Sequence, residues 1–143
     1  MNDRSVTPPP ASSGLVRNHV NVIEGRLDGR GLRVGVVVAR WNAFVTERLV
    51  EGAVDTLLRA GVAPADVTVV RVAGSWELVG AAAELVDRGD VDAVVPIGCL
   101  IKGDTIHFDL IAAEVAKGLG ALAREASVAV SFGVITTDTL EQA

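Results

Sequence analysis

One cysteine, Cys99, in 143 residues leaves no internal disulfide and no site built from several thiolates. No basic run exceeds a pair and the net charge is −5. Phosphate backbones need clustered Lys and Arg, so nucleic acid is not an expected partner. No stretch of about 18 apolar residues is free of charge, which removes the expectation of a membrane span. The N-terminus lacks the basic-then-apolar order of a secretion leader. The expected location is therefore cytoplasmic. The two histidines, His19 and His107, lie far apart with no cysteine or carboxylate cluster beside them, a poor basis for a metal site. A glycine-rich Walker loop is absent, and VGVVVARWN has the wrong spacing for GxGxxG. Nicotinamide and nucleotide-triphosphate readings lose their main support.

What is present is apolar. Nine apolar residue types make up 50% of the chain and charged residues only 22%, above the usual soluble balance. The length suits one domain with one core. A domain that buries further surface against copies of itself fits this balance; a compact Ala/Val-rich core is the plainer alternative. Residues 1–18, opening MNDRSVTPPPASSG, read as a flexible tail because three successive prolines bar a helix. HVNVIEG, residues 19–25, alternates weakly. It suits an edge strand, on this chain or on a neighbouring subunit's sheet.

From residue 32 the periodicity is regular. Valine runs predict strands over 32–39, 66–72, 91–101 and 127–135. Apolar residues at helical spacing predict helices over 44–60, 75–88 and 106–125. Pro96 is awkward within the third strand, since it removes a ladder donor, and a bulge there is one expectation. Asp138 with Glu141 has the residue types of a capping box for a further helix over 137–143, but so short a helix does not repay its nucleation. Strand–helix alternation implies a parallel sheet covered on both faces. Ligands then gather beyond the carboxyl ends of the strands, which are ARWN, VAGSWE, GCLIKGDTIH and ITTDT.

Those loops carry the candidate site residues. Gly103, Asp104 and Thr105 precede the longest helix, whose first amides can receive an anion; an ordinary N-cap at Asp104 or Thr105 is the alternative. Asp104 would repel a phosphate unless its carboxylate points to solvent. Lys102 either offsets an anion or is simply solvated. His107 lies in the first helical turn, where the dipole disfavours imidazolium; a neutral imidazole there can shuttle protons, or stand half-exposed with no task. Trp41 and Trp76 can each stack on a flat heterocycle or fill core or interface. Glu77 either caps its helix or accepts ligand hydroxyls. Phe132, within the fourth strand, reads as core or interface. Unaided, these residues point to an open-sheet site for a flat ring and an anion.

The ordered set NVIEG, ARWN, LVEGAVD, VRVAGSWEL, DAVVPIGCLIKGDTIHFD, EVAKGL and FGVITTDTLEQA, covering about residues 20–143, resembles the 6,7-dimethyl-8-ribityllumazine synthase family. The resemblance implies a single-domain three-layer α-β-α sandwich with a four-stranded parallel sheet, flavodoxin-like, and an early strand added to a neighbouring sheet. It implies a transferase that condenses 5-amino-6-ribitylamino-uracil with 3,4-dihydroxy-2-butanone 4-phosphate, without metal or organic cofactor. Trp41 matches the aromatic stacked on the pyrimidine; Ser75, Trp76 and Glu77 match the segment holding the ribityl chain and ring edge. Cys99, Leu100 and Ile101 match the pocket lining, Asp104 and Thr105 the phosphate seat, and His107 the proton-transferring histidine. Phe132 matches a residue contributed by the adjacent subunit. The assembly implied is a homopentamer, in some relatives twelve pentamers forming a 60-subunit icosahedral shell.

Three departures from the family pattern stand out. Glu77-Leu78-Val79 lacks the familiar Ile-Pro, and Lys102 replaces a usual Arg, keeping the charge but losing the fork. Relatives also continue past EQA, through an Arg that reaches the phosphate, a Gly-Asn-Lys-Gly-like loop and a long last helix. That comparison carries the expectation that the 143-residue chain is weak or inactive unless a partner supplies the rest. An archaeal-type riboflavin synthase, or an inactive or engineered shell-forming scaffold of the same fold, are the alternatives.

Overall fold

The computed structural model describes residues 21–143. The tail and His19 lie outside them. Residues 21–25 belong to no strand and are exposed, so this part of HVNVIEG does not join the chain's own sheet.

Five strands and three α-helices follow: β1 Val34–Ala39, α1 Ala43–Arg59, β2 Val67–Val72, α2 Leu78–Arg88, β3 Ala93–Ile101, α3 His107–Glu125, β4 Ala129–Val130 and β5 Gly133–Thr137. All strand pairs are parallel, in the order β2-β1-β3, with β4 and β5 both on the far side of β3. The α/β class and parallel sheet expected from the periodicity are found.

The β1 valines show why the sheet holds helices on both faces. Successive strand residues point to opposite sides. Val37 and Ala39 join Leu78, Ala82 and Leu85 of α2 and Val115 and Leu119 of α3. Val36 and Val38 join Val50 of α1 and Ile97. Every β1 residue is buried. Leu78 is fully buried, and a side chain so placed contributes roughly 1.5–3 kcal/mol. Thr46 is the buried polar exception in α1; its hydroxyl donates to the Ala39 carbonyl at 2.9 Å, tying the helix start to the end of β1.

The single fourth strand expected over 127–135 is instead two strands with a gap at Ser131 and Phe132. The register does not change across it: Ala93↔Ala129 and Ile101↔Thr137 share one offset. No residue is inserted, so Pro96 causes no bulge. The Ser131 N–H donates to the Val94 carbonyl at 3.0 Å. In a parallel ladder its own carbonyl would next take the N–H of residue 96, and proline has none. Pairing lapses there and resumes at Gly133. The opposite flank of Pro96 is intact, registered with Val37 of β1.

Where Asp138 and Glu141 mark the start of a helix too short to repay its nucleation, the chain forms a hydrogen-bonded turn. Gln142, not Glu141, supplies the acceptor: its Oε1 takes the N–H groups of Asp138 at 2.9 Å and Thr139 at 3.4 Å. The strand before it runs on to Thr137, two residues beyond expectation.

A Cβ at Gly133 would lie 2.5 Å from the Pro96 carbonyl oxygen, a backbone atom that cannot swing away. Gly133→Ala is expected to cost about 1–3 kcal/mol in urea unfolding. Gly52→Ala, in α1 with open space around it, is expected to be neutral or stabilising by up to about 1 kcal/mol. Equal effects at both positions would contradict the close contact.

Candidate active site

The sheet order makes a switch point between β1 and β3: β1 leads to α1 on one face, β3 to α3 on the other. Crevices open where neighbouring strands part in this way. A cleft of about 770 Å³ lies there, lined by the ends of β1, β2 and β3 and the start of α3. Its size falls within the range of small-molecule sites.

Beyond β1, the Arg40 and Trp41 N–H groups donate to the carbonyls of Val72 and Ala73, prolonging the link to β2. Asn42 then turns the chain with φ 57°, the one non-glycine residue of positive φ among the described residues. Its carbonyl accepts from Val45 and Thr46 to start α1, and its Nδ2 donates to the Cys99 carbonyl at 2.8 Å. Trp41 is left 75% exposed at the cleft edge.

Beyond β2, Gly74–Glu77 closes a tight turn. The Glu77 Oε2 accepts from the Gly74 N–H at 2.8 Å, and the Glu77 N–H donates back to the Gly74 carbonyl at 3.3 Å. Glu77 thus does cap its turn, and it is also one of the residues lining the cleft. Ser75 is buried against Gly98 of β3, where a Cβ would meet its Oγ at 2.7 Å and the Leu78 Cδ1 at 2.9 Å. That seat leaves Trp76 58% exposed over the cleft.

Cys99, Leu100 and Ile101 line the cleft from β3. Burial pushes the Cys99 thiol above its ordinary range, because the thiolate is the form that loses hydration. It is a lining group, unsuited to act as a nucleophile. At the entrance to α3, Gly103, Thr105 and His107 also face the cleft. No side chain caps Ile106, the residue before the helix. The Thr105 hydroxyl accepts from the His107 N–H at only 3.4 Å. Of the two N-cap alternatives, the one at Thr105 is met only by that long bond. His107 is exposed.

Three residues named in the sequence are not part of this lining. Asp104 is exposed and is not among the residues lining the cleft. Lys102 lies 4.0 Å from Asp138, a loose surface pair. Phe132 stands in the β4–β5 gap on the outer edge, 55% exposed. Conversely, Asn42, Phe108 and Ile111 line the cleft without having been singled out as site residues. Helical spacing marks Phe108 and Ile111 only as apolar. Asn42 carried a readable signal, since Asn after a strand tolerates the left-handed region. Among the described residues no group of three His, Cys, Asp or Glu side chains is placed to hold a metal. No helix among them is long and apolar enough to cross a membrane.

The raised thiol predicts slow alkylation. Iodoacetamide at pH 8.5 is expected to modify Cys99 at least tenfold more slowly in the folded protein than after urea unfolding, when the thiol regains its ordinary pKa. Equal rates would contradict the burial.

Comparison with known proteins agrees with this geometry. The 6,7-dimethyl-8-ribityllumazine synthase family model matches residues 31–143. The 6,7-dimethyl-8-ribityllumazine synthase of Aquifex aeolicus (strain VF5) is 52% identical over 124 residues, which are 87% of this chain and 80% of that protein. Every element lining the cleft lies within the matched residues. With its parallel sheet, switch-point cleft and extent of match, the chain belongs to the 6,7-dimethyl-8-ribityllumazine synthase family.

Proposed function

We propose that the cleft condenses 5-amino-6-ribitylamino-uracil with 3,4-dihydroxy-2-butanone 4-phosphate. The products are 6,7-dimethyl-8-ribityllumazine, phosphate and two waters. The observation that carries the assignment of roles is the convergence of Trp41, Ser75, Trp76, Glu77, Cys99, Leu100, Ile101, Thr105 and His107 on one cleft, from four separate segments.

The two reactants need different seats. The pyrimidine is flat and carries a polyol; the exposed Trp41 indole offers a stacking surface. The turn Gly74–Glu77 offers Glu77's remaining carboxylate oxygen to hydroxyl or ring N–H donors. The butanone phosphate is an anion, and the amides at the start of α3, with the Thr105 hydroxyl, are donors of suitable type. Lys102 gives long-range positive charge behind them. Reaction begins when the 5-amino group attacks the ketone and an imine forms with loss of water. Phosphate then leaves, and the ribitylamino nitrogen closes the ring with loss of a second water. His107, first in α3 and open to the cleft, moves protons to and from the nitrogen and the leaving group. Much of the rate comes from holding the reactants together.

The active unit is a homopentamer or a 60-subunit shell of pentamers. Support comes from apolar side chains left outside the fold, Ile106, Leu110, Phe132 and Leu140, which a single chain exposes and a neighbouring copy would cover. Phe132 then serves the neighbour's cleft, in keeping with its position away from its own.

Supplying both substrates is expected to yield lumazine, read by its absorbance, and phosphate in equal amounts. His107→Ala is expected to lower kcat roughly 10–100-fold, the modest end of general acid–base contributions because orientation remains. The KM for the pyrimidine should stay within about twofold. Wild-type protein that forms no lumazine would overturn the function; an unchanged kcat in the variant would overturn the role of His107.

A further inference from the structure

Asn42 stands where the β1–β3 ladder ends. The last registered pair is Val38↔Ile97. In β3 the odd-numbered residues turn their peptide groups toward β1, since Val94 and Lys102 bond to the opposite edge. The Cys99 carbonyl therefore points past the end of β1, where no backbone donor remains. The Asn42 amide takes it at 2.8 Å. The same residue adopts the left-handed backbone, and its carbonyl starts α1. One residue thus joins the β1 end, the floor of the cleft and the first turn of α1, with Trp41 immediately before it.

We propose that Asn42 is the positioning residue for the pyrimidine: by tying the β1–α1 turn to the Cys99 carbonyl it fixes the Trp41 indole over the cleft. The inference rests on the pyrimidine-stacking reading given above and deepens it. The Trp41 side chain is 75% exposed, so packing alone does not hold its ring. Its backbone is held by one bond, to Ala73 of the β2 side at 3.1 Å. The Asn42–Cys99 bond provides the second anchor, on the β3 side. With both anchors the turn spans the switch point and cannot slide toward either strand. Prearranging a stacking surface in this way raises affinity by removing an ordering cost at binding.

A purely structural Asn42 would satisfy the Cys99 carbonyl and do nothing more. A double-mutant cycle separates the two. Asn42→Gly keeps the left-handed backbone, which glycine adopts freely, and deletes only the amide bridge. In the wild-type background it is expected to raise the KM for the ribitylamino-uracil at least tenfold. The KM for the butanone phosphate should remain within twofold. In a Trp41→Ala background, where no indole remains to be placed, the same substitution is expected to add less than a twofold loss. Should Asn42→Gly lose its cooperative thermal transition, Asn42→Asp makes the same test. It keeps the shape and tolerates the backbone, but sets a carboxylate against the carbonyl. An unchanged pyrimidine KM, a loss shared equally by both substrates, or an equal loss in the two backgrounds would overturn the proposal. Failure of the wild-type protein to use the pyrimidine at all would instead overturn the reading on which it rests.

Discussion

Between Gly98 and the turn above it there is room for a hydrogen atom and no more. A side chain at 98 would collide with both Ser75 and Leu78. The absence of one lets the loop after β2 settle directly on the backbone of β3. That contact decides the rest. It buries Ser75, seats Leu78 at the centre of the larger core and turns Trp76 and Glu77 outward over the strand ends. Without it the third strand would still pair, but the cleft would have no roof on that side.

Stability and site geometry come from different interactions. The interior is a valine sheet with leucines from two helices on one face and α1 on the other. The ion pairs lie at the surface, such as Arg33–Asp92 and Arg71–Glu47, and such pairs contribute little. The site is instead set by a few backbone anchors at strand ends: Asn42 to Cys99, Trp41 to Ala73 and Glu77 to Gly74. Each is a polar bond at the edge of an apolar core. This division leaves the cleft walls rigid while their side chains remain exposed for contact with ligands.

Much of this was legible in the sequence. The valine runs and helical spacings marked the alternating elements, and parallel-sheet logic led to the strand ends that line the cleft. Ten residues named for the site from those loops are found there, among them Trp41, Glu77 and His107. What was not legible depends on partners distant in sequence. The break at Ser131 and Phe132 has its cause in Pro96, on another strand; the difficulty at Pro96 was visible, but not that its neighbour would bear it. Gln142 replaced the expected Glu141 because a turn, not a helix, formed. Asn42 was overlooked because its importance rests on a carbonyl 57 residues away. Specific roles for individual residues came from family resemblance rather than from spacing.

The central claim is that the crevice between the ends of β1 and β3 is a preformed seat for a ribityl-bearing pyrimidine. Titration calorimetry with 5-nitro-6-ribitylamino-uracil, which lacks the attacking amine, tests it without turnover. The account predicts saturable binding at one molecule per chain in the wild-type protein, and clear weakening in Gly98→Ala, whose added methyl displaces the Ser75 turn while leaving the identity of every lining residue unchanged. Binding of equal strength in both proteins, or no binding to either, would contradict it.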